Sequence, residues 1–261
     1  MSRRRFYATP DTINGSTINL SHEETHHLTR VLRLKSGSEV FVFDGCGNEY
    51  RCSFLKVKEN RARLDIVDAL SDEVDSSIHI TLAHGIARGE KFDFIVQKAT
   101  ELGASNIVPL VTDHADVKLS DEKSEKRLER WRRISLEALK QCGRRRLVEI
   151  SPPVTLKDFL NITQAQNSGI ADSNPSRALL VFSERGGVSI TAALSRSADK
   201  SSVTAMVGPE GGWSDEELML LDERRAIAVT LGPRILRTET AAVVALTLIQ
   251  HILGDLSSKN R

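Results

Sequence analysis

The sequence predicts two folded parts, a small β-rich module followed by a larger α/β domain with a parallel sheet. Up to about residue 70, short apolar runs are separated by turn residues, as in Val40–Phe43 before an Asp-Gly pair. Beyond that point, strand-like runs alternate with helical segments, which is typical of a parallel sheet covered by helices on both faces. The acidic stretch 71–77 is the linker candidate, and we place the domains at residues 1–72 and 77–256.

In the first domain, Ser21 followed by Glu24 is a capping-box pattern, which predicts a short helix running to Leu32. Tyr50–Val57 and Arg61–Val67 are predicted as two strands, the first because it follows the Asp-Gly turn and the second because its apolar residues alternate. The first domain is therefore expected to be mostly strands with one or two helices.

In the second domain, apolar runs of strand length alternate with longer helical segments, and a glycine follows three of the predicted helices. The polar stretch 163–176 is expected to be a loop. The predicted strands are Ile78–Ala83, Ile107–Val111, Ala178–Phe182, Val203–Val207 and Ala226–Leu231, and the predicted helices are Lys91–Leu102, Lys126–Cys142, Thr155–Leu160 and Thr238–Leu253.

The composition is that of an ordinary globular protein. The 261 residues are 40% hydrophobic and 27% charged, which excludes a disordered chain. The basic start lacks the apolar core of a signal peptide, and the run Ala241–Ile249 is too short to cross a bilayer. The three cysteines have no metal-ligand spacing. We therefore expect a cytoplasmic protein.

Charge is distributed unevenly along the chain. Lys and Arg total 36 against 35 Asp and Glu, yet residues 127–146 hold eight basic residues and only two acidic ones. Three arginines stand together at 3–5 and again at 144–146. Such basic stretches favour phosphate backbones, although a solvated helix face is the alternative. We predict an RNA or DNA partner.

Two glycine-bearing loops each connect a predicted strand to a helix. Residues 208–212 read Gly-Pro-Glu-Gly-Gly, before a capping box at Ser214 and Glu217. Residues 231–237 lead into the last helix, with Thr238 or Thr240 as N-cap. Glycines and unpaired helix N–H groups let a ligand approach the backbone. The pattern is neither a dinucleotide fingerprint nor a P-loop, so we predict a different ligand in a crevice at the strand ends.

These two loops resemble the signature loops of the RsmE family, the 16S ribosomal RNA uridine-N3 methyltransferases of the SPOUT superfamily. Residues 27–33, 43–45, 88–103 and 141–144 resemble that family as well. The resemblance implies an N-terminal PUA-like β-barrel that binds RNA and a C-terminal SPOUT-type α/β domain with a deep trefoil knot. It also implies a homodimer, S-adenosylmethionine as cofactor, and 16S ribosomal RNA within the small ribosomal subunit as partner.

The resemblance also assigns site residues. The cofactor-binding residues it implies are Phe182, Gly208, Glu210, Gly211, Gly212, Leu231, Gly232, Ile235, Leu236 and Thr238. The basic stretches and the matched motifs together give the candidate RNA contacts Arg4, Arg5, Arg30, Arg33, Arg88, Arg144 and Arg145. No metal site is expected, because the histidines at 22, 26 and 27 lack a second set of ligands at suitable spacing.

The expected chemistry needs few groups from the protein. Uridine N3 carries a proton that must leave, and an arginine beside the base would stabilise the resulting anion. Arg237 is the first candidate and Arg234 the second. Glu239 or Glu210 could remove the proton, and Glu210 could equally accept hydrogen bonds from loop amides. The alternatives are another SPOUT methyltransferase, acting on a ribose 2′-hydroxyl or on transfer RNA, and a non-catalytic ribosomal RNA-binding assembly factor.

Overall fold

The structure is a computed structural model that describes residues 3–71, 74–115, 121–167, 178–196 and 201–257. The chain divides into two compact units. The first unit comprises the chain up to Asp75 together with Leu136–Leu147, and the second comprises Ser76–Ser135 and the chain from Val148 onwards. Leu136–Leu147 was not predicted to join the first part of the chain, because a continuous helical pattern does not indicate which core each turn joins.

The first unit is built on a β-barrel-like sheet of six strands in the order β1-β4-β5-β6-β3-β2. β1 runs parallel to β4, and the other neighbours are antiparallel. The strands β4 to β6 were predicted, whereas β1 to β3 are too short to give a periodic signal. The strands are β1 (Arg5–Tyr7), β2 (Ile13–Asn14), β3 (Thr17–Asn19), β4 (Glu39–Phe43), β5 (Glu49–Lys58) and β6 (Arg61–Leu70).

A short helical segment closes the core of the first unit. Helix α1 (His22–His26) begins at the predicted cap, where the Ser21 hydroxyl accepts a hydrogen bond from the Glu24 amide at 3.1 Å. The backbone then continues as a π-helix over His27–Val31. Leu28 in this segment is fully buried in the apolar core of the unit.

The acidic stretch predicted as a linker is folded onto the first unit at its end. The Asp75 carboxylate accepts hydrogen bonds from Arg144 Nε at 3.0 Å and from the Arg145 and Arg146 amides at 3.0 and 3.1 Å. Residues 72 and 73, within the same stretch, lie outside the described residues. Asp75 is therefore a structural residue of the unit rather than part of a free connection.

The second unit contains the predicted parallel sheet. Its strand order is β10-β8-β7-β12-β11-β13, with β9 also paired to β8, and all pairings are parallel. This confirms the α/β class, while the knot that the resemblance implies stays a prediction. The strands are β7 (His79–Gly85), β8 (Asn106–Val111), β9 (Glu149–Ile150), β10 (Val154–Thr155), β11 (Ala178–Phe182), β12 (Ser202–Val207) and β13 (Ile227–Val229).

Helices cover both faces of this sheet, as predicted. Ile80 and Leu82 of β7 belong to one apolar core, with α2 and α7, and Val108 and Leu110 of β8 belong to another, with α4 and α6. In the described part of the chain, no helix is long and apolar enough to cross a membrane. The helices are α2 (Lys91–Glu101), α3 (Asp121–Cys142), α4 (Leu156–Asn167), α5 (Ile190–Ser195), α6 (Asp215–Glu223) and α7 (Thr238–Leu253).

Helix α4 corrects the loop predicted at 163–176. The helix continues through residues 163–167, and the Thr163 hydroxyl donates to the Phe159 carbonyl at 2.7 Å, within the helix. A polar composition favoured a loop, but the first turns of the helix are anchored by buried Phe159 and Leu160, and the helix extends beyond them. Residues 168–177 of the predicted loop lie outside the described residues.

Candidate functional site

Loops at the carboxyl ends of three neighbouring strands enclose a cleft in the second unit. They follow β11, β12 and β13, and the cavity between them has a volume of about 330 Å³. The carboxyl ends of parallel strands share one edge of the sheet, where ligands commonly bind. The structure therefore brings together the two glycine-bearing loops identified in the sequence and the strand end at Phe182, which the resemblance had assigned to the cofactor.

Most of the residues proposed for cofactor binding and catalysis line this cleft, but two do not. Gly211 packs instead against His114, where an added Cβ would lie 2.8 Å from the histidine Cβ. Glu239 is half-buried, and it is not among the described residues that line the cleft. The proposed residues that line the cleft are Phe182, Gly208, Glu210, Gly212, Leu231, Gly232, Arg234, Ile235, Leu236, Arg237 and Thr238.

Lys91 also lines this cleft, although no pattern in the sequence predicted it. Lys91 is the first residue of α2, and its Nζ lies 2.8 Å from Glu210 Oε1, which also accepts a hydrogen bond from the Arg88 amide at 3.2 Å. Burial alone would raise the pKa of Glu210, but hydrogen bonds from Lys91 and from backbone amides hold it below its usual range. These contacts fit the structural one of the two roles left open for Glu210, and the choice between the roles stays a prediction.

Thr238 connects the last helix to the first glycine loop. Helix α7 begins at Thr238 with Arg237 as its N-cap, so the predicted N-caps, Thr238 and Thr240, were wrong. The Thr238 hydroxyl is engaged elsewhere: it donates to the Gly208 carbonyl at 2.5 Å. Among the described residues no side chain caps α7, and its first N–H groups are left for other partners.

His84 supports this connection from below the cleft. The imidazole is fully buried at the end of β7, with Nδ1 2.6 Å from the Gly85 carbonyl and Nε2 3.2 Å from the Thr238 hydroxyl. Because a carbonyl only accepts, Nδ1 carries the proton. Burial lowers the pKa of His84, although the hydrogen bonds at Gly85 and Thr238 oppose that effect. His84 Nε2 thus lies beside the Thr238 hydroxyl, whose single proton is donated to the Gly208 carbonyl, so the imidazole packs against this connection without receiving that proton.

Close backbone packing fixes the other side of the glycine loop. A Cβ at Gly85 would lie 2.5 Å from Pro209 Cδ, so only glycine allows the end of β7 to approach this loop. Trp213 Nε1 donates to the Phe182 carbonyl at 3.3 Å, which joins the loop to the end of β11. The predicted capping box between Ser214 and Glu217 is confirmed at the start of α6. The loop is thus held at both ends before any ligand binds.

The arginines of the cleft are exposed. Arg234 and Arg237 line the cavity, and among the described residues neither has a carboxylate within ion-pair distance. Arg185, a third lining residue, forms an ion pair with Asp215. The guanidinium groups of Arg234 and Arg237 are therefore available for an anionic ligand or an anionic transition state.

The structure divides the proposed RNA-contacting arginines into two groups. Arg4, Arg30, Arg33 and Arg88 are exposed. The buried ones require a correction: Arg5, Arg144 and Arg145 are 7%, 8% and 2% exposed. A guanidinium that is buried against carboxylates cannot present itself to a phosphate, so these three are internal residues of the first unit. The two triple-arginine stretches gave no sign of this, because the sequence does not show which side chains turn inward.

Comparisons with known proteins agree with this geometry. A family model described as an RNA methyltransferase domain matches residues 74–250, and one described as an RNA methyltransferase PUA domain matches residues 20–67. The ribosomal RNA small subunit methyltransferase E of Bacillus subtilis is 31% identical over 236 residues, which are 90% of this chain and 90% of the relative. The chain belongs to the ribosomal RNA small subunit methyltransferase E family.

Other members of the ribosomal RNA small subunit methyltransferase E family align along most of the chain. The Synechocystis sp. member is 32% identical over 249 residues, which are 95% of this chain and 78% of the relative. The crystal structure of the Neisseria gonorrhoeae member, bound to S-adenosyl methionine, has 30% identity and a TM-score of 0.84, and covers 97% of this chain and 99% of that one. The family resemblance inferred from the loops is thereby confirmed, as is the PUA domain.

Proposed function

We propose that this chain transfers the methyl group of S-adenosylmethionine to N3 of a uridine in 16S ribosomal RNA of the small ribosomal subunit. The names of its relatives support methyl transfer to small-subunit RNA, and the bound ligand of the Neisseria gonorrhoeae member supports the cofactor. The observation that carries the proposal is the cleft, in which two glycine-bearing loops meet at the carboxyl ends of parallel strands.

The residues present in the cleft suit this cofactor. Its volume of about 330 Å³ falls at the lower end of small-ligand cavities, which span about 300–1,000 Å³. Leu231 and Leu236 supply apolar surface, while Gly208 and Gly232 leave the backbone open to polar ligand groups. When bound, S-adenosylmethionine supplies an electrophilic methyl group on a sulfonium centre. The protein mainly has to hold the two reactants in line.

Two arginines are proposed to stabilise the substrate anion. Loss of the N3 proton spreads negative charge towards the uracil oxygens, and preorganised cations in a partly enclosed cleft stabilise such charge. Arg237 is our first assignment and Arg234 the second, because both line the cleft. Glu239 is the remaining candidate for the proton acceptor: Glu210 is engaged by Lys91, whereas Glu239 Oε2 is buried without a hydrogen-bond partner among the described residues.

The wider assembly is part of the same proposal. We assign RNA contacts to the exposed residues Arg4, Arg30, Arg33 and Arg88, and omit the buried arginines. A homodimer is part of the proposal because the resemblance to the RsmE family implies it. We propose two domains, residues 1–72 and 77–256, with residues 136–147 joined to the first. We further propose that the second domain is knotted and that the protein acts in the cytoplasm.

An in vitro assay tests the proposal directly. The purified chain is incubated with isotopically labelled S-adenosylmethionine and either small ribosomal subunits or free 16S RNA, and the RNA is digested for mass spectrometry. We expect the label in N3-methyluridine at a single position. Label on a ribose 2′-oxygen or on transfer RNA would indicate a different methyltransferase. Titration calorimetry showing no cofactor binding, with RNA still bound, would indicate an assembly factor.

A further inference from the structure

Two neighbouring apolar side chains are exposed at the end of the π-helix in the first unit. Val31 is 60% exposed and Leu32 is 38% exposed. We refer to these two residues as the apolar tip. Single exposed apolar residues are common on protein surfaces and need no explanation, but two adjacent ones on a small domain mark a surface worth testing for a partner.

The backbone itself turns the apolar tip outward. The Leu32 amide donates to the His27 carbonyl at 2.9 Å, five residues back, so the last turn is wider than an α-helical turn. Arg33 follows with φ +51°, a left-handed conformation that is uncommon for a residue other than glycine. Wide π-turns and left-handed residues of this kind occur frequently at functional sites.

The apolar tip has a rigid base. Leu28, three residues before Val31, is fully buried in the core of the unit. The Thr25 hydroxyl accepts a hydrogen bond from the Ala62 amide at 2.7 Å, and the Thr29 hydroxyl donates to the Thr25 carbonyl at 2.8 Å. The tip is thus held in place before it meets a partner, which lowers the entropic cost of binding.

In the stretch of sequence that carries the apolar tip, the charged side chains are all positive. Residues 25–38 contain no aspartate or glutamate, and Arg30, Arg33 and Lys35 are exposed. If two copies of this chain met symmetrically through their tips, these cations would face one another, which disfavours a dimer contact there. An apolar surface beside exposed Arg30, Arg33 and Lys35 instead fits a nucleic acid, whose bases are apolar on their faces and whose backbone is anionic.

We propose that Val31 and Leu32 form a wedge that packs against unpaired bases of the substrate RNA, while Arg30 and Arg33 contact the adjacent backbone. The proposal rests on the proposed function, which makes RNA the substrate, and it adds the kind of RNA recognised. Apolar side chains insert between bases at unstacked steps, and sequence-specific RNA recognition targets unpaired nucleotides in loops and bulges. The tip therefore selects an RNA region that contains unpaired bases over a continuous duplex.

The test is the double variant Val31→Ser/Leu32→Ser in the full chain. Binding is measured by fluorescence anisotropy, over a range of salt concentrations, to a small-subunit RNA hairpin with unpaired loop bases and to a fully paired duplex of equal length. We expect about tenfold weaker binding to the hairpin, little change on the duplex, and an unchanged salt slope. Arg30→Ala/Arg33→Ala should instead weaken binding to both RNAs and lower the salt slope.

A matched control keeps the test interpretable. Val57 and Val67 lie on β5 and β6 of the same unit and are 44% and 54% exposed, so Val57→Ser/Val67→Ser removes similar apolar surface elsewhere. We expect this control to bind both RNAs as the wild type does, and all variants to unfold at the wild-type temperature.

Three results would overturn the wedge. The first is that the tip variant binds the hairpin with wild-type affinity. The second is that the control variant loses as much hairpin affinity as the tip variant. The third is that the wild type is a dimer in analytical ultracentrifugation and the tip variant is a monomer. The third result would assign the tip to a second copy of the chain. None of them affects methylation by the wild type, whereas failure of the wild-type chain to methylate a uridine would overturn the proposed function.

Discussion

The three buried arginines of the first unit, Arg5, Arg144 and Arg145, and the exposed Arg234 and Arg237 of the cleft occupy opposite environments. Arg5 and Arg145 are buried and share the Glu49 carboxylate, at 2.6 and 3.2 Å from their Nε atoms. Arg234 and Arg237 are exposed and line a cavity. Arginine therefore has a structural role at some positions of one unit and is available for a ligand in the cleft of the other. The position of the carboxylates decides which of these two roles an arginine has.

The physical reason is the cost of removing a charge from water. A guanidinium that is buried needs a carboxylate and further acceptors to offset desolvation, and Arg5 has both: its Nη atoms also donate to the Leu139 carbonyl at 2.6 Å and the Arg144 carbonyl at 2.9 Å. An exposed guanidinium keeps its hydration and its free donors. It can then exchange water for an anion at little cost.

The largest effect is expected when the buried arginines Arg5 and Arg145 lose the Glu49 carboxylate. Glu49→Ala leaves Arg5 and Arg145 without the group that compensates them, and breaking a buried ion pair from one side costs about 3–5 kcal/mol. We expect that decrease in the free energy of unfolding, measured by urea denaturation of the full chain.

The control for this change is a carboxylate in an exposed pair. Glu39 lies 3.4 Å from Arg51, with side chains 59% and 39% exposed. Glu39→Ala should lower the free energy of unfolding by only about 0–1 kcal/mol. Equal effects of the two substitutions would show that burial does not separate the two kinds of arginine.

The second-largest effect is expected from a substitution of an exposed arginine of the cleft. Arg237→Ala should lower kcat for RNA methylation by about 100- to 1,000-fold, the range found when one preorganised donor to a developing anion is removed. The unfolding temperature should not change, because the side chain is exposed. Arg196→Ala, an exposed arginine of the same unit outside the cleft, is the control.

The steady-state constants then distinguish two roles of Arg237. A lower kcat with unchanged cofactor affinity assigns it to the transition state. Weaker cofactor binding with normal kcat at saturation would make Arg237 a cofactor clamp, and wild-type kinetics would exclude it from both roles.

The sequence predicted the periodic elements of this protein well. Buried strands such as Ala178–Phe182 are continuous apolar runs, and caps such as Ser21 and Ser214 stand where their hydroxyls accept hydrogen bonds from helix amides. The two glycine loops were recognisable because each stands directly between a strand-like run and a helix start, twice in succession. These features depend on residues close together in the sequence.

Features that depend on distant residues were not predictable. Arg145 resembles any surface arginine until Glu49, far away in the sequence, is placed beside it. Thr238 was expected to cap α7, but its hydroxyl bonds the Gly208 carbonyl, which lies 30 residues away. Lys91 gave no sign of joining the cleft for the same reason. In each case a tertiary contact displaced a role that local sequence favoured.

The third effect concerns the hydrogen bond between the Thr238 hydroxyl and the Gly208 carbonyl, which joins the start of α7 to the first glycine loop. Thr238→Val keeps the shape but removes the hydroxyl that donates to Gly208, and leaving a buried carbonyl without a donor costs about 1–3 kcal/mol. We expect S-adenosylmethionine to bind roughly tenfold more weakly in titration calorimetry, since about 1.4 kcal/mol is a factor of ten. Thr238→Ser, which retains the hydroxyl, should restore binding. Unchanged affinity in the valine variant would exclude this support.

The smallest effect is a pH dependence of cofactor affinity through Glu210 in the first glycine loop. The pKa of Glu210 is held below its ordinary value of 4.5. A carboxylate with a depressed pKa stabilises the folded loop at higher pH, and this contribution is lost as the pH falls through the folded pKa. Cofactor affinity of the wild type should therefore show no loss from Glu210 protonation between pH 8 and pH 5.

Lys91→Ala removes one of the groups that lower this pKa. The loss of cofactor affinity at acid pH should then begin at a higher pH than in the wild type. Titration calorimetry across the pH range measures the shift, and superimposable profiles would show that Lys91 does not set the charge of Glu210.

The proposed function depends on the identity of the methylated atom. Mass-spectrometric mapping of small-subunit ribosomal RNA from cells that lack this chain measures it most directly. We predict that a single N3-methyluridine disappears, that the wild-type chain restores it, and that Arg237→Ala does not. An unchanged set of N3-methyluridines in the deletion cells would contradict the account.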